Sequence, residues 1–85
     1  MSSLDNKILE IQDLLTKGKI NSAEKKIKTL LIKFPNNLNL LQFQSAIYIK
    51  NNNDGKALAT LYKMSEIKTH ESIFNNIAML EKKNN

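Results

Sequence analysis

The sequence predicts an all-α protein, an α-solenoid in which antiparallel helix hairpins stack to give five helices. Apolar residues recur at spacings of three and four residues along most of the chain, as they do on amphipathic helices. The chain also nearly repeats itself after 34 residues, so that Ala23 recurs as Ala57. Polar breaks at 17–19 and 51–53 occupy matching places. A helical repeat of this period is typical of stacked helix pairs, and it predicts a single domain over 1–85.

The first two helices are predicted by their apolar spacing and by residues that end helices. The first is expected over 4–17, and Gly18 suits the left-handed conformation that ends it. The second begins at Asn21, where Glu24 three residues later suggests a capping box. Pro35 ends it, because the residue before a proline is disfavoured in the helical conformation. The apolar stripes are Leu4, Ile8, Ile11 and Leu15 in the first helix and Ala23, Ile27, Leu30, Leu31 and Phe34 in the second.

Three further helices follow, separated by polar breaks. The third is expected over 38–50 and is apolar on two sides, as a helix packed between neighbours must be. The fourth is expected over 55–68 with Asp54 as its N-cap, and the fifth over 70–82 with Thr69 as its N-cap. Their predicted core residues are Leu40, Leu41, Phe43, Ile47 and Tyr48, then Ala57, Leu58, Leu61, Tyr62 and Met64, and finally Ile73, Phe74, Ile77, Ala78 and Leu80.

Composition limits the function. The net charge is +5, all thirteen basic residues are lysine, and there is no cysteine to form a disulfide or a sulfur metal site. The charge excess lies in residues 17–33, where the candidate basic patch is Lys25, Lys26, Lys28 and Lys33. Because arginine and interleaved aromatic residues are missing, a solvated lysine face is favoured over nucleic-acid binding. We see no secretory signal or membrane-length apolar run, and therefore expect a cytoplasmic protein without membrane contact.

Two sequence motifs carry a resemblance to a known family. They are Gly18-x4-Ala23-x3-Ile27-x2-Leu30-x4-Pro35 and Tyr48-x8-Ala57-x3-Leu61-x2-Met64. The chain resembles the tetratricopeptide repeat (TPR) family over essentially its whole length, as two repeats at 4–37 and 38–71 and a terminal helix at 72–83. The resemblance implies that each repeat is a helix hairpin whose helices approach closely at the recurring alanine. The chain departs from the family pattern at Lys7, Ile11, Leu41, Ser45 and Thr69.

The resemblance also implies a binding surface. In this family the first helix of each pair lines a concave groove, which suits an extended or helical peptide. The implied groove residues are Asp5, Ile8, Gln12, Leu15 and Thr16, then Asn39, Gln42, Ala46, Ile49 and Lys50, and finally Ile73, Asn76, Leu80 and Lys83. A shift of one residue in the fifth helix is an alternative, since we expect Phe74 to be more buried than Asn75. Core membership is the plainer interpretation of Ile8, Leu15, Ile49 and Leu80.

We expect no enzymatic activity, no cofactor and no metal site. The single histidine, His70, stands beside one carboxylate near a helix start, which suits a capping region better than metal binding. No serine or threonine has an identifiable base partner, and the isolated glycines do not form a phosphate-binding loop. The family's clamp for a C-terminal carboxylate is not expected, because the corresponding positions are Ile8, Gln12, Phe43, Ile73 and Ile77.

The sequence leaves three functions open. The first is a non-catalytic adaptor that binds a protein or peptide in the groove. The second is a homodimer through the terminal helix, where Ile73, Ile77 or Leu80 would lack a following unit to cover it. The third is a stand-alone relative of the repeat module found at the N-terminus of larger enzymes such as a transferase.

Overall fold

The computed structural model describes residues 3–84, and these residues form five α-helices. Each helix boundary lies within one residue of the sequence prediction, and the described residues contain no strand. The all-helical class and the number of helices are therefore confirmed. The helices are α1 (Ser3–Thr16), α2 (Ile20–Lys33), α3 (Leu38–Lys50), α4 (Asp54–Ile67) and α5 (Glu71–Lys83).

The α1–α2 and α3–α4 connections are built in the same way, 34 residues apart. Gly18 has a φ of +79° and Asn52 a φ of +59°, so both residues adopt the left-handed conformation. In each turn the N–H of the left-handed residue donates three residues back at 3.1 Å, and the following N–H donates five residues back at 2.8 Å. This is the Schellman pattern, which satisfies the last carbonyls of a helix and reverses the chain. The predicted role of Gly18 is confirmed.

The N-cap of α4 differs by one residue from the prediction. The structure places Asn53, rather than Asp54, at the cap, with its Oδ1 accepting from the N–H of Lys56 at 3.4 Å. The reason is that the Schellman turn of α3 ends at Asn53, so Asp54 already lies inside α4. Helix α3 is capped in the same way, since Asn37 Oδ1 accepts from the N–H of Leu40 at 3.0 Å.

Two further capping predictions are wrong. Helix α2 begins at Ile20, and its N-cap residue Lys19 makes no side-chain cap bond, so the capping box expected at Asn21 does not form. The Schellman turn again explains the difference, because it ends at Lys19 and leaves Asn21 within the helix. Helix α5 is capped by His70 rather than Thr69, and the His70 Nδ1 accepts from the N–H two residues later at 3.1 Å.

The helices pack mainly in chain order, each against the next, in a body measuring 40 × 26 × 19 Å. The apolar core consists of two clusters. Helix α3 contributes to both, because Leu40 and Ile47 face α1 and α2 whereas Leu41 faces α4 and α5. The N-terminal cluster is Ile11, Ala23, Ile27, Leu30, Leu40 and Ile47, and the C-terminal cluster is Leu41, Ala57, Leu61, Met64, Ile73, Ile77 and Leu80.

Residues related by the 34-residue repeat are equally buried in the two hairpins. Ala23 and Ala57 are both fully inaccessible to solvent, and Ile27 and Leu61 are each 1% exposed. An alanine at this position lets two helix axes approach to about 8–10 Å, which a larger side chain would prevent. The close approach expected at the recurring alanine therefore has a packing reason in each hairpin.

The last helix departs from the strict repeat. Its buried stripe is Ile73, Ile77 and Leu80, and Ile73 and Leu80 lie one residue earlier than a 34-residue repeat of Leu40 and Ile47 would place them. The connection before α5 is one residue shorter than the connection before α3, because it lacks a counterpart of the proline turn. The shift is thus of one residue, the size of the alternative, although Phe74 is exposed and not buried as that alternative expected. Contrary to expectation, the exposed side chains include Phe34, Tyr62, Phe74 and Ala78.

Polar contacts join α4 to α5 at the edge of the C-terminal cluster. Asp54 Oδ2 lies 3.3 Å from Lys83 Nζ and accepts from Asn84 Nδ2 at 3.1 Å. The hydrogen bond from Asn84, together with the Lys83 charge, outweighs desolvation and lowers the pKa of Asp54. Tyr62 donates its hydroxyl to Glu81 at 2.7 Å, and this bond raises the pKa of Tyr62. Asp54 thus connects the start of α4, and Tyr62 its middle, with the end of α5.

Replacing Ala57 with Phe should destabilise the protein by about 1–3 kcal/mol, because the larger side chain overpacks the α3–α4 contact. Chemical denaturation followed by circular dichroism measures the free energy of unfolding. Ala59→Phe is the matched control, since Ala59 is on the same helix and exposed. Equal stability of the two variants would contradict the packing role of Ala57.

Replacing Asp54 with Asn should remove a pH-dependent part of the stability. The folded-state pKa of Asp54 lies below its ordinary 3.8, so its contribution is present above that value and is lost as the pH falls through the lowered pKa. Unfolding free energies measured from neutral to strongly acidic pH should show wild type above Asp54→Asn near neutrality. The two curves should converge in acid. A constant gap would contradict the linkage.

Candidate functional site

An open groove of about 380 Å³ runs between α3 and α5, above α4. It is the place where the structure brings predicted groove residues from different helices together. We refer to it as the α3–α5 groove. Its lining residues are Leu38, Asn39, Gln42, Ser45, Leu61, Met64, Lys68, His70, Ser72, Ile73 and Asn76.

The α3–α5 groove has an apolar floor and polar walls. Leu61 and Met64 of α4 belong to the C-terminal cluster and form the floor. Asn39 and Gln42 on α3 and Asn76 on α5 are exposed, so their amides are available above it. Each of these amides can both donate and accept hydrogen bonds. The groove therefore combines an apolar contact area with groups suited to peptide N–H and C=O groups.

Ser45 shows how α3 can present this wall while packing closely on α4. Its side chain is buried, and its hydroxyl donates to the backbone carbonyl of Gln42 at 2.9 Å. A buried hydroxyl without a partner would be unfavourable, and this bond within the helix avoids that cost. The small serine thus keeps α3 close to α4 without a polar group left unsatisfied.

At the rim of the groove, where the α4–α5 connection enters α5, hydrogen bonds of the α5 N-cap fix the backbone. His70 Nδ1 accepts from the N–H of Ser72, and the Ser72 hydroxyl lies 2.8 Å from the same nitrogen. Lys68 also lines this end, and the lining includes no carboxylate. The groove is therefore neutral along its walls and positively charged at one end. The expectation of a capping-region role for His70 is confirmed.

The predicted groove residues fall into three groups. Asn39, Gln42 and Asn76 line the α3–α5 groove as exposed side chains. Ile73 also lines the groove but is only 7% exposed, so it belongs to the floor like Leu61 and Met64. Leu80 is 1% exposed and lies outside the lining, so its predicted groove role is wrong and its core interpretation is confirmed. Ile73 and Leu80 are buried because the core stripe of α5 is shifted. Lying outside the lining are Asp5, Ile8, Gln12, Leu15, Thr16, Ala46, Ile49, Lys50 and Lys83.

Several of those outlying residues have local roles. Ile8 and Leu15 are half-buried against the N-terminal cluster and Ile49 against the C-terminal cluster, as the core interpretation proposed. Thr16 donates its hydroxyl to the carbonyl of Gln12 at 2.9 Å within α1. Their contribution to a wider concave surface stays a prediction.

The lysines of α2 are partly neutralised by neighbouring carboxylates. Lys26 Nζ lies 3.7 Å from a Glu10 oxygen across the α1–α2 interface, and Lys28 Nζ lies 3.2 Å from Glu24 within α2. Lys25 lines a shallow groove of about 280 Å³ beside Lys26, whereas Lys33 lies in the last turn of α2. The candidate basic patch therefore has a weaker field than its lysine count suggests.

Two other kinds of feature are absent from the described residues. They contain no group of three or more histidine, cysteine, aspartate or glutamate side chains that could hold a metal ion. No helix among residues 3–84 has both the length and the apolar character required to cross a bilayer. No protein-family model matches the chain, and no curated protein or solved structure matches it. The α3–α5 groove is the arrangement from which a function has to be argued.

Seven of the eleven lining residues are not among the groove residues that the sequence predicts. Leu61 and Met64 are predicted as core residues, and they also form the groove floor. Lys68 and His70 are predicted only as the last residue of the fourth helix and the first residue of the fifth. The signal that could have found them is the short α4–α5 connection, because a tight turn holds its residues beside the ends of both helices.

Replacing His70 with Ala should lower the stability by about 0.5–2 kcal/mol, since the N–H of Ser72 loses its cap acceptor. His70→Asn should recover most of this loss, because asparagine is a favoured N-cap residue. Denaturant unfolding of the two variants and wild type measures the difference. If His70→Asn is as unstable as His70→Ala, the histidine acts through something other than the cap.

Proposed function

We propose that the chain is a TPR-like helical repeat protein that acts without catalysis. It binds a peptide or an extended protein segment in the α3–α5 groove. The observation that carries the proposal is the convergence of three exposed amides from two helices, Asn39, Gln42 and Asn76, above an apolar floor.

Several features of the fold support a TPR-like arrangement. Consecutive helices pack on one another, and α3 joins two apolar clusters instead of closing a bundle around one. Two matching Schellman turns recur 34 residues apart, and the repeated alanines Ala23 and Ala57 are both fully buried. Repeat arrays are built in this way, since each unit contacts mainly its neighbours.

The size and polarity of the groove define what it would bind. A volume of about 380 Å³ lies at the lower end of the range of small ligand pockets, roughly 300–1,000 Å³. One or two apolar side chains of a peptide would rest on Leu61 and Met64. The amides of Gln42 and Asn76 would bond the backbone groups on either side of those side chains. Lys68 at the rim would favour an acidic residue at that end.

A random peptide library displayed on phage tests the proposal without knowledge of the natural partner. Peptides selected on wild type should be rich in apolar residues next to acidic ones. Replacing Gln42 and Asn76 together with Ala should weaken their binding about tenfold or more, since each lost hydrogen bond contributes about 0.5–1.5 kcal/mol. Fluorescence anisotropy of a labelled selected peptide measures the affinity.

The matched control replaces two exposed amides elsewhere, Asn6 on α1 and Asn21 on α2, with Ala. This variant should bind the selected peptide as wild type does. Equal binding by the groove variant and the control would refute the groove as the binding site. A failure to enrich any peptide would refute peptide binding itself.

A further inference from the structure

The outer surface of α5 carries apolar side chains that no described helix covers. Phe74 is 46% exposed and Met79 is 53% exposed. On a helical wheel with about 100° per residue, Phe74, Met79 and four other exposed residues fall within an arc of about 140°. This arc lies on the side of α5 opposite the buried stripe of Ile73, Ile77 and Leu80. We call this the outer face of α5. Its members are Glu71, Phe74, Asn75, Ala78, Met79 and Lys82.

One edge of the outer face, at Phe74 and Ala78, corresponds to a face that is buried in α3. On α3, Leu41 packs into the C-terminal cluster and lies roughly 110° around the helix from Leu40 and Ile47, which pack into the N-terminal cluster. The same rotation from the buried stripe of α5 leads to Phe74 and Ala78. A further helix would therefore contact this edge if the array continued. The charged residues of the outer face, rather than its exposure alone, indicate which helix would pack on it.

The charges of the outer face complement themselves in an antiparallel pair. When two copies of α5 cross a two-fold axis between residues 76 and 77, Glu71 of one copy lies level with Lys82 of the other, and the reverse holds at the opposite end. Asn75 then lies level with Ala78. Neither Glu71 nor Lys82 has an ion-pair partner among the described residues. A two-fold interface brings each patch against itself, so this self-complementarity is what such an interface requires.

The geometry points to a homodimer in which the outer faces of two α5 helices pack antiparallel. Phe74 lies at one edge of the outer face and Met79 at the other, so the two Phe74 side chains approach each other on one side of the pair and the two Met79 side chains on the other side. The buried residues Ile73, Ile77 and Leu80, on which the sequence-based dimer hypothesis rested, take no part. The α3–α5 groove is lined on α5 by Ser72 and Asn76, which lie outside the outer face and border it at Met79.

The interface is small, and its affinity is correspondingly low. One pair of helices of 13 residues buries less than the roughly 1,600 Å² of a standard protein interface. Opposite charges at the level of Glu71 and Lys82 select the antiparallel register, because a parallel pair would place like charges together. We therefore expect a monomer–dimer equilibrium in the micromolar range that weakens with added salt.

Charge reversal tests this arrangement directly. Sedimentation equilibrium of the full chain, from low micromolar to near-millimolar concentration, should show wild type dimerising. Glu71→Lys alone and Lys82→Glu alone should each weaken dimerisation about tenfold or more, because each places two like-charge pairs in the interface. An equimolar mixture of the two variants should associate as wild type does, since its heterodimer restores both opposite-charge pairs.

A second variant tests the apolar part of the interface. Phe74→Ala should weaken dimerisation, whereas Ile32→Ala on α2, which removes a side chain that is 82% exposed, should not. Circular dichroism checks that each variant remains helical. A wild-type chain that stays monomeric at the highest concentration would overturn the proposal. A dimer insensitive to both charge reversals, or a mixture that fails to associate, would also overturn it.

Discussion

The fold depends on one helix with two buried faces. Leu40 and Ile47 of α3 complete the N-terminal cluster, and Leu41 on an adjacent face belongs to the C-terminal cluster. A chain of 85 residues buries only a modest fraction of its surface on folding. Each hairpin therefore depends on most of the apolar contacts that it makes. Because α3 belongs to both clusters, neither keeps its packing without it. Disorder in α3 would expose both clusters at once, which makes the folding of the two hairpins interdependent.

The same constraint determines where a groove can form. Two sides of α3 are used for packing, so the remaining side has to be polar, and it carries Asn39 and Gln42. Helix α4 packs against both α3 and α5 and separates them. Leu61 and Met64 of α4 therefore lie at the bottom of the gap between α3 and α5. The groove is thus a consequence of stacking three helices with one recessed, and its apolar floor belongs to the core itself.

Local sequence signals predict the helices well, but they do not predict which side of α5 is buried or which residues form the groove floor. Gly18 and Pro35 act through their own backbone geometry, and the recurrence of Ala23 at Ala57 reports a packing requirement, so all three can be read from the sequence. The buried stripe of α5 depends instead on the length of the preceding connection. Ile73 and Phe74 are both apolar, and only the rotation of α5 against α4 determines that Ile73 is buried and Phe74 exposed. The groove floor escaped prediction because α4 residues that pack inward can still be reached from the gap between two other helices.

Helices α3 and α5 differ in what covers the face next to the buried stripe, which on α3 carries Leu41. On α3 that face packs against α4, and on α5 the equivalent residues Phe74 and Ala78 meet solvent, with Glu71, Met79 and Lys82 exposed beside them. A terminal unit that served only to cap the array would be expected to present a polar face there. Apolar side chains bordered by charges of opposite sign are typical of a surface that pairs in a defined register. Asn76 and the groove border this surface at Met79, so α5 carries two neighbouring surfaces of different composition, one lined by amides and one with apolar edges.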